Sequence, residues 1–198
     1  MVKKTILVCF MKPNTPPAVT ALLIIDVQND FMEGGALGID GASQILPVIN
    51  ERIVSGDYGW VVATQDLHPA DHGSFALWPA HCVEFTRGAE LHPGLARDRI
   101  DVIWRKGMTK QVDSYGAFFD NEGKPTHLAD LLRARGIQAL DVVGLATDYC
   151  VGISALQAAP LFRTRVLLAG CRGVGLKPRD IPEMLERLAT AGVERVGA

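Results

Sequence analysis

The chain has 198 residues, the size of one average domain, and can build an apolar core without disulfides or structural metals. Its 20 Lys and Arg residues against 22 Asp and Glu residues give a net charge of −2, so a basic surface for a nucleic-acid backbone is not expected. The 48% hydrophobic content excludes a disordered chain, and no apolar run reaches the roughly 20 residues of a membrane helix.

The first segment, Met1 to Met11, has two lysines before an apolar run, but no small-residue cleavage site follows it. The next segment, Lys12 to Pro17, is Pro-rich and is typical of a linker. We therefore predict an N-terminal extension and linker at residues 1–17 and one domain at residues 18–198. Widely spaced cysteines without a C-x-x-C pair indicate free thiols and a cytoplasmic location: Cys9, Cys82, Cys150 and Cys171.

Short apolar runs rich in β-branched residues predict five strands that are covered on both faces. They are Ala21 to Ile25, Trp60 to Thr64, Val102 to Trp104, Leu140 to Val143 and Val166 to Ala169. Helical patterns are spaced among and after them, at Ser43 to Ile53, Leu128 to Ala134, Val151 to Ala159 and Ile181 to Ala191. This alternation predicts an α/β fold, a three-layer α/β/α sandwich around a mainly parallel sheet.

Ionisable residues follow four of the predicted strands. In parallel sheets, ligands bind beyond the carboxyl ends of the strands, so these residues are expected to meet in one crevice. They are Asp26 after the first run, Asp66 and His68 after the second, Lys106 after the third, and Asp148 and Cys150 after the fourth.

Three of these residues form a candidate catalytic set. Cys150 directly precedes a helical pattern, where the helix dipole favours a thiolate, although a lone cysteine is more often a small core residue. Asp26 follows five apolar residues, so we expect a buried carboxylate with a raised pKa that acts as a general base. Lys106 would hold the carboxylate and the developing thiolate in their charged forms.

A metal site is predicted in the loop from Thr64 to Val83. Its carboxylate and imidazoles suit Zn²⁺, Mn²⁺ or Fe²⁺ with positions left open for water or substrate. The candidate ligands are Asp66, His68, His72 and His81. Phe31 and Trp78 lie close in sequence to the proposed functional groups and are candidates for aromatic walls around a flat ring.

Four blocks in order carry a resemblance to a known family: LLIIDVQNDFMEGGAL, TQDLHP with HGSFALWPAHCV, KGMTKQVDSYGAF, and GLATDYCV. The sequence resembles the nicotinamidase/pyrazinamidase branch of the isochorismatase-like cysteine hydrolases, from Ala21 to about Gly175. It departs from many relatives at Leu67, where they carry Trp, and at Gly116, where they carry Ser. The segment from Met1 to Pro17 has no counterpart in the resemblance.

The resemblance implies an isochorismatase-like hydrolase domain and assigns roles by position. The catalytic trio falls on Asp26, Lys106 and Cys150, and the oxyanion hole on the backbone N–H groups of Ala146 and Cys150, next to a cis peptide between Leu145 and Ala146. The metal ligands fall on Asp66, His68 and His81, with His72 a ligand only in some members, and the substrate-stacking residues are Phe31 and Trp78.

The implied reaction is hydrolysis of nicotinamide, and also of pyrazinamide, by a cysteine amidohydrolase with one divalent metal. Zn²⁺ is the first expectation for this metal, and Mn²⁺ and Fe²⁺ are the alternatives. In this scheme the metal binds the pyridine nitrogen and orients the amide over the sulfur. The expected partners are a small aromatic amide and further copies of the chain, with no nucleic acid and no membrane.

Four other interpretations are considered from the sequence. The nearest is another amidase of the same superfamily that acts on a carbamoyl or ureido compound, although such relatives generally lack the metal ligands Asp66, His68 and His81. An isochorismatase proper would hydrolyse a vinyl ether and needs no cysteine, so Cys150 argues against it. The last two are an inactive α/β binding module or small-ligand sensor, and a thiol redox protein, for which a resolving cysteine near Cys150 is missing.

Overall fold

Six parallel strands form one sheet in the computed structural model, which describes residues 19–197. The strands are β1 (Val19–Ile25), β2 (Trp60–Asp66), β3 (Val102–Lys106), β4 (Ile137–Leu145), β5 (Arg163–Arg172) and β6 (Glu194–Val196). Their order across the sheet is β3-β2-β1-β4-β5-β6. The predicted extension and linker at residues 1–17 lie outside the described residues, as does Cys9.

Four α-helices accompany the sheet: α1 (Leu46–Val54), α2 (Leu128–Ala134), α3 (Gly152–Ala158) and α4 (Asp180–Thr190). Short 3₁₀ turns occupy parts of the connections, including Ala42–Ile45, which leads directly into α1. The bounds of α2, α3 and α4 fall within one residue of their predicted segments, whereas α1 begins three residues later than predicted, because Ala42–Ile45 forms a 3₁₀ turn. Between residues 19 and 197 no helix has the length and apolar character needed to cross a membrane.

The sheet is covered on both faces, which confirms the predicted three-layer fold. Alternate residues of β1 point to opposite sides, so Leu23 and Ile25 pack with α2, α3 and α4, whereas Leu22 and Ile24 pack with α1 and the long loops. The helices α2, α3 and α4 pack on one face of the sheet through Leu128, Leu132, Ala155 and Leu188. Helix α1 packs on the other face through Ile49 and Ile53.

Two details differ from the sequence-based expectation. The strands are longer than the apolar runs, because polar residues within them are satisfied in place: Asp141 of β4 accepts hydrogen bonds from Tyr58 and Arg165 at 2.6–2.8 Å. The edge strand β6 was not predicted, since it has only three residues and two of them are charged. The added length matters for the site described below, because it makes Asp66 the last residue of β2 and Lys106 the last residue of β3.

The order in which strands are added to the sheet changes direction between the parallel neighbours β1 and β4: β2 and β3 lie on one side of β1, and β4, β5 and β6 lie on the other. Ligands of open α/β sheets bind in the crevice outside the carboxyl ends of the strands at such a point. Asp26 follows the end of β1, and the segment from Ala146 to Cys150 follows the end of β4. The topology therefore places these two segments next to each other at the expected crevice.

Candidate active site

Asp26 follows β1 and is fully buried. Its backbone adopts a φ of 48°, a left-handed conformation that aspartate tolerates better than most side chains. Thr64 of β2 fixes it from both sides, because the hydroxyl donates to Asp26 Oδ1 at 2.6 Å and accepts from the Asp26 N–H at 3.1 Å. The carboxylate is thus held in one orientation.

Lys106, the last residue of β3, connects the acidic groups with the sulfur. Its Nζ lies 2.9 Å from Asp26 Oδ2 and 3.2 Å from Asp66 Oδ1, and it donates to the backbone oxygen of Ser114 at 2.7 Å. The same Nζ lies 3.7 Å from Sγ of Cys150. The lysine side chain is completely buried, so the ammonium exchanges its water shell for these groups.

Cys150 lies in the wide turn Thr147–Val151 between β4 and α3. The N–H of Val151 donates to the oxygen of Ala146 at 3.0 Å, five residues back, and Tyr149 has the unusual backbone angles φ −123° and ψ −108°. The peptide bond between Leu145 and Ala146 is cis, as the resemblance implies. The structure brings Asp26, Lys106 and Cys150 together from three different strand ends.

The charge state of the sulfur differs from the sequence-based expectation. The helix dipole was expected to favour a thiolate, but burial raises the pKa of the Cys150 thiol well above its usual value; Lys106 lowers it, while Asp26 and Asp66 add to the rise. Moreover, α3 begins only at Gly152 and has seven residues. The expectation of a thiolate favoured by the helix was therefore wrong, because desolvation outweighs the helix dipole.

The pKa values of the two ionic partners, Asp26 and Lys106, are both raised. Burial raises the pKa of the Asp26 carboxyl, and Lys106 only partly offsets this. Burial lowers the pKa of Lys106, but the charges of Asp26 and Asp66 outweigh it and hold this pKa well above its usual value. The lysine consequently stays protonated. The pKa of the Asp26 carboxyl is raised above its usual value, which suits a group that must both accept and release a proton.

A possible metal-binding group lies beside this trio: Asp66, His68 and His81 are buried, and their donor atoms lie within 4.8 Å of one another. We call these three residues the metal cluster. His68 Nε2 lies 3.1 Å from Asp66 Oδ2, which is the separation of two ligands that are each about 2 Å from one ion. Burial raises the pKa of Asp66, but Lys106 and His68 together lower it below its usual range, so the carboxylate stays charged.

The surroundings of the metal cluster fit a bound cation. Nε2 of His68 is buried with no hydrogen-bond partner, although it faces the Asp66 carboxylate. The other ring nitrogen of each histidine is fixed by a backbone oxygen, His68 Nδ1 by Gly107 at 2.8 Å and His81 Nδ1 by Pro79 at 2.7 Å. Metal-binding histidines are oriented in this way, with one nitrogen anchored and the other free for the ion.

His72 lies next to the metal cluster. Its ring stacks on His68 with centroids 4.1 Å apart, and its Nδ1 is 2.7 Å from the hydroxyl of Ser74. Nε2 of His72 is buried without a hydrogen-bond partner. The same histidine forms a second potential ligand group with His68 and Asp113.

A cavity opens over Cys150 and over two residues of the metal cluster, Asp66 and His81. Phe31 and Trp78, the two aromatic residues singled out in the sequence, line it. Tyr115 and Tyr149 complete the wall: Trp78 Nε1 donates to the Tyr115 hydroxyl at 3.0 Å, and the Tyr149 ring meets the Trp78 ring edge-on. The apolar walls and the few polar groups at the base are typical of a site for a small flat molecule.

Sequence reasoning missed several residues that support the site. Thr64 and Gln28 orient Asp26 and Asp66; Gln28 accepts from the Asp66 N–H at 2.7 Å and donates to the Asp66 oxygen at 2.7 Å. Tyr115 and Tyr149 line the cavity. The tyrosines stand inside the blocks VDSYGAF and ATDYCV, which was an available signal, whereas nothing in the sequence marks Thr64 as the partner of Asp26.

Comparisons with known proteins agree with this geometry. Residues 20–161 match the sequence profile of the isochorismatase domain. The nicotinamidase of Escherichia coli (strain K12) is 40% identical over 87% of this chain and 92% of its own length. Among solved structures, PnC1 from L. infantum in complex with nicotinate superposes with a TM-score of 0.86 at 37% identity, covering 90% of this chain and 92% of that one. The pyrazinamidase of Pyrococcus horikoshii in complex with zinc superposes with a TM-score of 0.80 at 36% identity, covering 90% and 99%.

Proposed function

This chain belongs to the isochorismatase family, and on that premise we propose that it is a nicotinamidase that hydrolyses nicotinamide to nicotinate and ammonia and also accepts pyrazinamide. One observation carries the proposal: a single buried ammonium, that of Lys106, contacts Asp26, Asp66 and Cys150 at the base of an aromatic cavity. The nicotinate and zinc complexes of the similar structures support the choice of substrate and cofactor.

In the first half of the reaction, Asp26 takes the proton of the Cys150 thiol and the sulfur attacks the carboxamide carbon. Since burial favours the neutral thiol, proton transfer accompanies the attack, and Lys106 stabilises the charges that form. Ala146 and Cys150 line the cavity, and their N–H groups are the proposed donors to the oxyanion. Each such donor is typically worth about 3 kcal/mol of transition-state stabilisation.

In the second half, the protonated Asp26 donates its proton to the departing amide nitrogen, the C–N bond breaks and ammonia leaves. A thioester between Cys150 and the acyl group remains. Asp26 then removes a proton from a water molecule, which attacks the thioester carbon and releases nicotinate, and the sulfur regains its proton. The raised pKa of Asp26 suits a group that must accept and return a proton in each half.

We propose that Asp66, His68 and His81 hold one divalent metal ion, with Zn²⁺ favoured by the imidazole-rich set. When bound, the ion supplies a Lewis-acid site for the ring nitrogen of the substrate. Phe31 and Trp78 would then hold the ring between aromatic walls, so that the amide is presented to Cys150.

The test is ammonia release from nicotinamide, pyrazinamide and benzamide, with and without a chelator. Nicotinamide and pyrazinamide are expected to turn over, and benzamide, which lacks the ring nitrogen, is expected to be a much poorer substrate. Equal turnover of benzamide would refute the role given to the metal. A ureido or carbamoyl substrate that is hydrolysed faster, in protein without bound metal, would favour the alternative amidase.

The nucleophile is tested by Cys150→Ala, with Cys171→Ala as the matched control. Both cysteines are buried and free, but Cys171 donates to the Leu167 oxygen in β5 and does not line the cavity. Cys150→Ala is expected to abolish ammonia release and leave the metal content unchanged, whereas Cys171→Ala retains activity. Ammonia release by Cys150→Ala would exclude the thiol mechanism.

Three further parts of the proposal concern the setting of the enzyme. We propose a cytoplasmic location, which is supported by the three cysteines of residues 19–197 being free. We also propose that the chain forms homo-oligomers and does not bind nucleic acid, the latter in line with its net charge of −2. Size-exclusion chromatography with light scattering measures the oligomeric state.

A further inference from the structure

Residues 114–119 pass along one side of the site between β3 and α2. Ser114 offers its backbone oxygen to Lys106 Nζ at 2.7 Å, so this segment supplies the neutral acceptor of the buried ammonium. The next residue, Tyr115, lines the cavity and accepts from Trp78. The position of this segment therefore bears on both the lysine and the substrate wall.

Helix α3 holds the segment with side-chain hydrogen bonds. Gln157 Oε1 accepts from the N–H groups of Phe118 and Phe119, both at 3.1 Å, and Gln157 Nε2 donates to the Phe119 oxygen at 3.0 Å. One turn earlier, the hydroxyl of Ser154 accepts from the Ala117 N–H at 3.0 Å. The turn that carries Cys150 leads directly into this helix, so the nucleophile and these anchors share one rigid element.

The glycine at position 116 makes room for the amide of Gln157. A Cβ at Gly116 would lie 2.0 Å from Gln157 Oε1 and 2.3 Å from its Cδ and Nε2. Because the contact is with the far end of a flexible side chain, any larger residue would displace the amide rather than the backbone. Gly116 and Gln157 thus form one structural unit, in which the first residue permits the hydrogen bonds of the second.

We propose that Gln157, through the space left by Gly116, is a positioning residue that sets Lys106 and Tyr115 relative to Cys150. The inference rests on the proposed function, because it assigns Gln157 an effect on the same reaction. Gln157 does not line the cavity, and its side-chain hydrogen bonds are with Phe118 and Phe119. It acts through Ser114, whose carbonyl binds the ammonium, and through Tyr115, whose ring borders the substrate.

The experiment compares Gln157→Ala, Gly116→Ala and the double variant with a control on the same helix, Leu156→Ala. Leu156 is half-buried and packs against the core, and its aliphatic side chain has no group that could hydrogen-bond to residues 114–119. Gln157→Ala is expected to lower kcat for nicotinamide about tenfold, which corresponds to about 1.4 kcal/mol in the barrier, and to raise KM severalfold. The Leu156→Ala variant is expected to melt earlier with kcat and KM unchanged.

The double variant separates positioning from simple destabilisation. If Gly116→Ala acts by displacing the Gln157 amide, each single change removes the same interaction, so the double variant is expected to be no slower than the slower single one. Effects on kcat that multiply in the double variant would overturn the proposal. So would a Gln157→Ala variant whose kcat and KM match those of the Leu156→Ala control.

A readout without substrate distinguishes this inference from the proposed function. Alkylation of Cys150 by iodoacetamide at one fixed pH, followed by mass spectrometry, is expected to slow severalfold in Gln157→Ala and Gly116→Ala but not in Leu156→Ala, because a displaced Lys106 no longer stabilises the thiolate. Slower alkylation in a chain that releases no ammonia would refute only the proposed function. Unchanged or faster alkylation in the two variants of an active enzyme would refute the positioning role.

Discussion

Replacing Thr64 with valine removes the side-chain support of Asp26 while keeping the shape of the residue. The Thr64 hydroxyl donates to the Asp26 carboxylate at 2.6 Å and accepts from the Asp26 N–H at 3.1 Å, in a position where neither residue is exposed. Valine fills the same space, so no cavity is created. The variant therefore isolates the contribution of one hydroxyl to Asp26, the proposed base.

The size of the effect follows from the two lost hydrogen bonds. A hydrogen bond to a charged group is worth about 1.5–3 kcal/mol, and a buried N–H left without a partner costs about 1–3 kcal/mol. We expect Thr64→Val to lower the free energy of unfolding by about 3 kcal/mol, which in a chain of this size lowers Tm by about 6–12 °C. Because the bond from Thr64 lowers the pKa of Asp26, its loss raises that pKa further.

The assay is the pH profile of kcat/KM for nicotinamide together with thermal unfolding. A base with a higher pKa is ionised only at higher pH, so the acidic limb of the profile is expected to move to higher pH. Thr164→Val is the matched control, since Thr164 is buried in β5 and donates at 3.0 Å to the Phe162 oxygen. It is expected to cost about 1 kcal/mol of stability and leave the profile in place. An unmoved limb in Thr64→Val, or an equal shift in both variants, would refute the reasoning.

Three further predictions concern the ammonium, the loop after β5 and the metal. Lys106→Met leaves two buried carboxylates without their counter-charge and is expected to cost about 3–5 kcal/mol in urea unfolding, so an unchanged midpoint would contradict the ion-pair geometry. Asp148→Ala frees the N–H groups of Val174 and Gly175, each held at 2.8 Å, and because Val174 lines the cavity, KM for nicotinamide is expected to rise severalfold in initial-rate measurements while the metal content stays constant. Chelation is expected to lower Tm, and added Zn²⁺ to restore it, since an ion that binds the folded metal cluster stabilises the fold; a Tm insensitive to both would count against the site.

The fold could be predicted from the sequence because its signals are local. The buried strands are short apolar runs, and the helix α2 carries its periodicity in the same seven residues that form it, Leu128–Ala134. The strand β6 could not be found in this way, because Glu194–Val196 has no apolar pattern and is a strand by virtue of its pairing with β5 at the sheet edge. Tertiary pairing, rather than intrinsic propensity, creates that strand.

The sequence could predict which side chains lie together at the site, but not their charge states or the residues that support them. Asp26, Lys106 and Cys150 stand out because a charged or thiol group follows an apolar run. The state of Cys150 could not be read in this way, since the pKa of its thiol depends on how completely the folded chain excludes water. The role of Thr64 depends on a neighbour 38 positions away in the chain, and that of Gln157 on neighbours 38 and 39 positions away. Neither residue differs in sequence from an ordinary strand or helix residue.

The sheet geometry also explains why the ammonium comes from a lysine. Lys106 ends β3, and β2 separates this strand from β1, whose end carries Asp26. Two steps between neighbouring strands, each about 4.8 Å, leave about 10 Å between the backbones of β3 and β1. The short side chain of Asp26 cannot span this distance by itself. The long side chain of Lys106 crosses the end of β2 and brings Nζ to 2.9 Å from Asp26 Oδ2. On the way, the same ammonium passes Asp66 at the end of β2, so the acid, the metal cluster and the sulfur share one cation because of the order of the strands.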